Sequence, residues 1–200
     1  MSENAQICGK EYPVSLDSLT LKYVSVTAKD LEEIGRLRSL RTLELMGCKI
    51  GDISALSVLD GLTELHLGLN KIVDISSLSG LTGLETLILA GNQITDITPL
   101  KELKNLTVLG LDNNRISDIT VLSGLVELSR LNLADNCILD ISPLGGLVRL
   151  TRLGIQNNQI ADFAPLENLT ELTYLWLNKK KLSAEQMERL LSALPNCYIR

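Results

Sequence analysis

Five asparagines, Asn70, Asn92, Asn114, Asn136 and Asn158, follow one another at intervals of 22 residues. Each stands in the same apolar frame, shown in full by Leu106-x-x-Leu109-x-Leu111-x-x-Asn114-x-Ile116-x-Asp118-Ile119-x-x-Leu122. A fixed period of this length, with the same positions refilled each time, specifies a solenoid of stacked coils. The short amide both donates and accepts. Pointed inward, it can satisfy backbone groups of adjacent coils that would otherwise be buried unpaired.

Hydrophobic residues make up 45% of the chain and aromatics only 3%, so the interior must be built from Leu and Ile. Such uniformity suits identical layers, in which every coil offers the next the same small slots. The net charge of −5 argues against a nucleic-acid partner, which would call for a basic stripe. No run of apolar residues is long enough to span a membrane. The start, Met1-Ser2-Glu3-Asn4-Ala5-Gln6, has neither the basic nor the apolar region of a secretory signal. Cys8, Cys48, Cys137 and Cys197 form no CxxC pair. Cys48 occupies a position of the asparagine row, where a small, weakly polar group fits inside, and Cys137 is expected to face solvent. Free thiols point to a reducing, cytoplasmic setting, with a secreted or surface location open if a targeting segment once preceded the sequence.

Residues 1–15 fall outside the repeat. Gln6 to Tyr12 reads as a strand, a glycine turn and a return, closed by Pro13, and is assigned as an N-terminal cap over the first sheet edge. The first coil, Leu16-x-x-Leu19-x-Leu21-x-x-Val24-x-Val26, carries a two-residue insertion. Thr27-Ala28-Lys29-Asp30 then has the spacing of a helix start, and Leu31, Ile34 and Leu37 form its inner face. Seven coils follow in register, opened by Leu40, Leu62, Leu84, Leu106, Leu128, Leu150 and Leu172. Their alternating Leu-x-Leu pairs predict one strand per coil. Eight strands at about 4.8 Å spacing make a parallel sheet roughly 35 Å long. The short period leaves room on the opposite side only for turns and 3₁₀ pieces.

The last coil has Lys180 where asparagine is expected, a substitution that is cheap if the asparagine bonds the coil that follows it. Ser183 to Gln186 reads as a capping box. Met187, Leu190, Leu191 and Leu194 form the stripe of a terminal helix stopped by Pro195, and Cys197-Tyr198-Ile199 is expected to run along the last edge. The chain therefore reads as one domain: a cap over 1–15, eight repeats over 16–182 and a helical cap over 183–200. With both ends closed, it is expected to be a whole solenoid.

The frame resembles the leucine-rich repeat family, in a subclass similar to the 22-residue repeats of bacterial internalins and of a eukaryotic phosphatase-1 regulatory subunit. Ala193-Leu194-Pro195-Asn196-Cys197-Tyr198-Ile199 is similar to the closing segment of many bacterial members. The N-terminal stretch differs from the helical, Ca²⁺-associated cap of the internalins. The resemblance spans about residues 16–199. It implies an α/β, right-handed solenoid with its parallel sheet on the concave face. It also implies a binding scaffold whose concave face contacts another protein.

Asp52, Asp74, Asp96, Asp118, Asp140 and Asp162 recur one step before an Ile or Phe, where a carboxylate can cap the turn that follows. They are read as structural, not as metal ligands, and no metal or other cofactor is expected. The lone His66 has no partner for catalysis or metal binding and is placed as a solvent-exposed residue beside Glu44. No nucleophile triad, phosphate loop or zinc-protease motif is present, so the chain is read as a non-enzyme.

The repeat does not dictate the two outward residues that flank each middle Leu. They run Thr42/Glu44, Glu64/His66, Thr86/Ile88, Val108/Gly110, Arg130/Asn132, Arg152/Gly154 and Tyr174/Trp176. Exposed Tyr, Trp and Arg are enriched in binding hot spots. Gly110 and Gly154 are expected to leave room for a partner. Arg130 and Arg152, one coil apart, could jointly hold a carboxylate or phosphate. The alternative is that Tyr174 and Trp176 simply pack under the terminal cap. The leading reading is a monomeric module that binds a protein or peptide through Glu44, Glu64, His66, Ile88, Arg130, Arg152, Tyr174 and Trp176. A regulatory subunit docking on an enzyme such as a phosphatase, or a structural assembly role, remain alternatives.

Overall fold

The computed structural model describes residues 4–200; Met1, Ser2 and Glu3, assigned above to the N-terminal cap, lie outside the described residues. Two strands, β1 (Asn4–Ile7) and β2 (Lys10–Pro13), form an antiparallel hairpin. The main sheet comprises β3 (Ser18–Lys22), β4 (Thr42–Met46), β5 (Glu64–His66), β6 (Thr86–Ile88) and β7 (Val108–Gly110). It continues through β8 (Arg130–Asn132), β9 (Arg152–Gly154), β10 (Tyr174–Trp176) and β11 (Tyr198–Ile199). These nine strands are parallel and lie in strict sequence order. Strands β4 to β10 pair with no slip in register, Leu43 to Leu65 to Leu87 and onward to Leu175. The inward leucines and isoleucines form one continuous buried column.

The asparagine row is buried along its whole length. In a typical coil, Asn92 Nδ2 donates to Leu67 O at 3.0 Å and to Leu89 O at 2.9 Å, while its Oδ1 accepts from Ile72 N–H at 3.0 Å. Leu67 and Ile72 belong to the preceding coil, so each asparagine closes its own turn and ties it backward. Asn70 does the same, its Oδ1 accepting from both Cys48 N–H and Ile50 N–H. This direction corrects the expectation for Lys180. The first coil, which has no predecessor, is the one that can dispense with asparagine, and there Val24 is partly exposed. At the last coil the chain takes another route. It enters a 3₁₀ turn over Lys179–Lys181, and Lys180 is exposed. Asn178 Oδ1 accepts from Asn157 N–H at 2.5 Å, and Lys181 Nζ donates to Asn158 O at 2.5 Å.

One position before each ladder residue the backbone turns left-handed. Gly47, Gly91, Asn113, Asp135 and Asn157 meet this requirement with residues that tolerate it, whereas Tyr23 and Leu69 hold it under strain. On the far side of each coil lie 3₁₀ turns: Ser54–Val58, Ser76–Leu78, Thr98–Glu102, Thr120–Gly124, Ser142–Leu144 and Ala164–Asn168. Each opens with the same bond, as when Ser54 N–H donates to Asp52 Oδ1 and Thr120 N–H to Asp118 Oδ1, both at 2.8 Å. Asp74, Asp96, Asp140 and Asp162 accept in the same way. These bonds favour the ionised form. The Ser54 backbone N–H holds the Asp52 carboxyl below the usual range, and the Thr120 hydroxyl does most to lower that of Asp118.

The caps differ from expectation in two respects. Helix α1 (Ala28–Ile34) opens with a capping box between Thr27 and Asp30 and buries Leu31 and Ile34. The β1–β2 hairpin sits on this helix, where Cys8 N–H donates to Asp30 Oδ1 at 2.7 Å and Gln6 N–H to Glu33 Oε2 at 3.1 Å. It therefore seals the apolar end of the stack with Ala5 and Ile7, and β3 stays an edge strand bearing polar Ser18, Thr20 and Lys22. Helix α2 (Ala184–Ala193) opens with the Ser183–Gln186 capping box and buries Leu190, with Leu194 just beyond its end also buried. Leu191, expected in the same stripe, points outward and is exposed, because the docked face of a short helix is narrow.

Substitution of Asn114 by Ala would strand Ile94 N–H and Leu89 O inside the stack. It should lower the unfolding free energy by about 3 kcal/mol or more. Loss of the exposed Asp118 cap should cost markedly less, and urea unfolding of the two variants compares them.

Candidate protein-binding face

The outward residues of the sheet form three columns, since alternation carries the strand pattern one position past the two flanking residues. The first runs Val108, Arg130, Arg152 and Tyr174, and the second Ile88, Gly110, Asn132, Gly154 and Trp176, as the cross-strand register dictates. The third, two residues farther along each coil, contains Asp112, Ala134 and Gln156.

These columns enclose a hollow of about 380 Å³ on the concave face. Ile88 and Val108 bound it on one side, Trp176 on the other, and Arg130 and Arg152 stand along it. Asp112, Asn132 and Gln156 supply its polar lining. The two glycines are needed by their neighbours. A β-carbon on Gly154 would lie 2.4 Å from Asn132 Oδ1, and one on Gly110 would lie 3.1 Å from Ile88 Cδ1. The space over each glycine is therefore filled by the side chain of the previous strand, which corrects the expectation that it stands vacant for a partner. Asn132 Oδ1, lying over Gly154, also accepts from Ala134 N–H at 3.2 Å. Gln156 Oε1 is shielded and has no hydrogen-bond partner among the described residues.

Beyond the hollow the sheet ends in aromatic rings. Tyr174 and Trp176 stack with centroids 5.8 Å apart and planes inclined by 14°. Tyr198, carried by β11 and paired with Tyr174, meets its ring edge-on at 6.2 Å. The Arg152 guanidinium lies over Tyr174, 5.3 Å from the ring centre. Such a cation–π contact holds a charge in place without neutralising it. Tyr174 is 41% exposed and Tyr198 60%, and Trp176 is half-buried among the outward side chains.

The other candidate residues lie apart from this cluster. Glu44, Glu64 and His66 sit on β4 and β5, and none of them lines the hollow. Glu44 pairs with Lys22 Nζ at 2.8 Å, so part of the acidic character expected there is neutralised. His66 is half-buried between Glu44 and Ile88, with its Nε2 shielded and without a partner among the described residues, which corrects its placement as a solvent-exposed residue. The neighbouring strands crowd a ring that sequence spacing alone leaves free. Asp112, Asn132, Gln156 and Tyr198 were not among the sequence candidates. Extending the alternation by one step would have found Asp112 and Gln156. Tyr198 needed the register of β11.

Burial pushes the Asp112 carboxyl above the ordinary carboxylate range, and nearby Asp135 adds to the shift. A raised value means the folded state keeps this proton longer than the unfolded chain does. Stability contributed here is thus lost as pH rises from about 4 through the folded pKa. Asp112→Asn should match the parent near pH 3 and exceed it in urea resistance at neutral pH.

No curated protein matches the sequence. A family model described as leucine rich repeats (2 copies) matches residues 60–102, 82–124, 104–146, 125–168 and 148–188, and a leucine rich repeat model matches 36–59. Among solved structures, internalin C2 of Listeria monocytogenes is 32% identical, with 96% of this chain and 85% of that one covered and a TM-score of 0.83. The internalin InlF of the same species is 28% identical, over 96% and 69% of the two chains, with a TM-score of 0.57. A leucine-rich repeat protein of Leptospira interrogans is 28% identical, with a TM-score of 0.78; the match covers 92% of this chain and 48% of that one. These bacterial relatives support the bacterial origin suggested by the closing segment. The repeat frame, the stacked sheet and the family matches together show that the chain belongs to the leucine-rich repeat family, in its internalin-like form.

Proposed function

We propose that the protein is a non-enzymatic interaction module that binds a protein or peptide on the concave face of its sheet, at the end formed by β7 to β11. The observation that carries this reading is the cluster of exposed Tyr174, Tyr198 and Arg152 with half-buried Trp176, beside a preformed hollow. Stacked rings lose little side-chain freedom on binding, so the cluster is a rigid anchor of the kind enriched in interface hot spots. The solenoid beneath it is a continuous stack of paired coils, the setting in which interface backbones move little on binding.

Leucine-rich repeat domains are commonly protein-interaction modules, and that habit agrees with the surface chemistry. The role of Glu44, Glu64 and His66 in this reading is secondary. Glu64 is the exposed acid of the three, so it, more than the Lys22-paired Glu44, sets the charge preference at the far end of the face.

The protein, immobilised and exposed to an extract of its source cells, should retain a specific partner. Replacing Trp176 and Arg152 together by Ala should abolish retention while the thermal unfolding midpoint moves by only a few degrees, roughly what a modest loss of surface packing gives. Retention by the double variant would exclude this end of the face. A collapse of stability would assign Trp176 to the core instead.

A further inference from the structure

The hollow contains an imbalance of charge. Arg130 and Arg152 are direct cross-strand partners on β8 and β9. Adjacent strands lie about 4.8 Å apart, and like charges placed opposite one another destabilise a sheet. Among the described residues neither guanidinium pairs with a carboxylate, since the four ion pairs all lie elsewhere. Arg152 is steadied by the Tyr174 ring, which leaves its positive charge uncompensated. Val108 and Tyr174, the neighbours on either side in the same column, carry no charge. This happens on a chain whose net charge is −5, yet no carboxylate of the described residues forms an ion pair with either arginine.

The remaining lining narrows what would complete the pair. The hollow holds about 380 Å³, near the small end of ligand sites, which suits one or two side chains and not a folded element. Ile88 and Val108 offer an apolar wall on one side and Trp176 an aromatic wall on the other. The amides of Asn132 and Gln156 form a polar floor. Asp112 is the one acid in the lining, and it forms an ion pair with neither arginine.

We propose that this hollow is a carboxylate pocket, in which Arg130 and Arg152 together hold one acidic side chain of an extended partner segment while the next apolar residue of that segment packs on Trp176. The inference rests on the concave-face reading above and adds the chemistry of the partner. A shared carboxylate relieves the repulsion within the pair. Two guanidiniums also impose a geometry that one lysine could not.

Random peptides displayed on phage and selected on the intact protein test it, followed by synthesis of the strongest binder with its acidic residue intact, replaced by Gln, and replaced by phosphoserine. Selected peptides should share one acidic residue beside an apolar one. The Gln form should bind roughly ten- to a hundredfold more weakly, as loss of a charge-assisted bond implies. The R130Q/R152Q double variant, checked for folding by circular dichroism, should lose affinity to a similar degree. Binders without a shared acid, binders indifferent to R130Q/R152Q, or no binders at all would overturn the pocket. A phosphoserine form that binds where the carboxylate form does not would overturn it too, by making this a phosphate site. Binders indifferent to the arginines yet lost on W176A would leave the concave-face reading standing. Binders indifferent to all three substitutions would sink both.

Discussion

The stack depends on the backward reach of its asparagines. Each buried amide joins a carbonyl and an N–H of the preceding coil to a carbonyl of its own, using two donors and one acceptor where a hydroxyl has a single donor. Without it, every coil would carry buried polar backbone groups with nothing to bond. The direction of the bond makes the stack asymmetric. The first coil can end in Val24, and Cys48 can serve the second, its thiol reaching Leu21 O at 3.3 Å. The last coil cannot simply omit the residue, and its chain changes path at Lys179–Lys181 instead.

Because the ladder, the leucine column and the aspartate caps all point inward or along the outer turns, the repeat leaves the outward strand positions free to vary. That freedom is where the surface acquires its character. Glycine at 110 and 154 lets Ile88 and Asn132 lie across the sheet, and their neighbours frame a hollow instead of a flat ribbon. Two arginines that pair with no carboxylate among the described residues stand beside that hollow, and the aromatic cluster closes the end of the sheet. A fold of repeated geometry thus carries an irregular chemical surface over a regular core.

Much of this architecture was legible because its determinants are local and periodic. The 22-residue spacing set which leucines face inward, and the cap residues Thr27 and Ser183, each followed within three residues by Asp30 or Gln186, announced both helices. The first two outward columns followed from the same spacing, so Ile88, Arg130, Arg152, Tyr174 and Trp176 could be named as neighbours. Features set by contacts between coils were harder to see. His66 looked free because its own strand leaves it so, yet the strands beside it shield its Nε2. The strained backbone at Tyr23 and Leu69 was hidden because its position is filled by glycine or by polar turn residues in most other coils.

The sequence by itself determined the period, the parallel sheet, the inward core and the residues that alternate outward, because each follows from a pattern repeated at short range. Only the tertiary structure decided which way the ladder bonds run, where the N-terminal hairpin docks and how the outward side chains meet. Those depend on backbone groups of one coil finding partners in the next, and on β11 returning to set Tyr198 against Tyr174. The row of asparagines could be counted from the chain, but its direction, and the unbalanced arginine pair on the opposite face of the sheet, exist only once the coils are stacked.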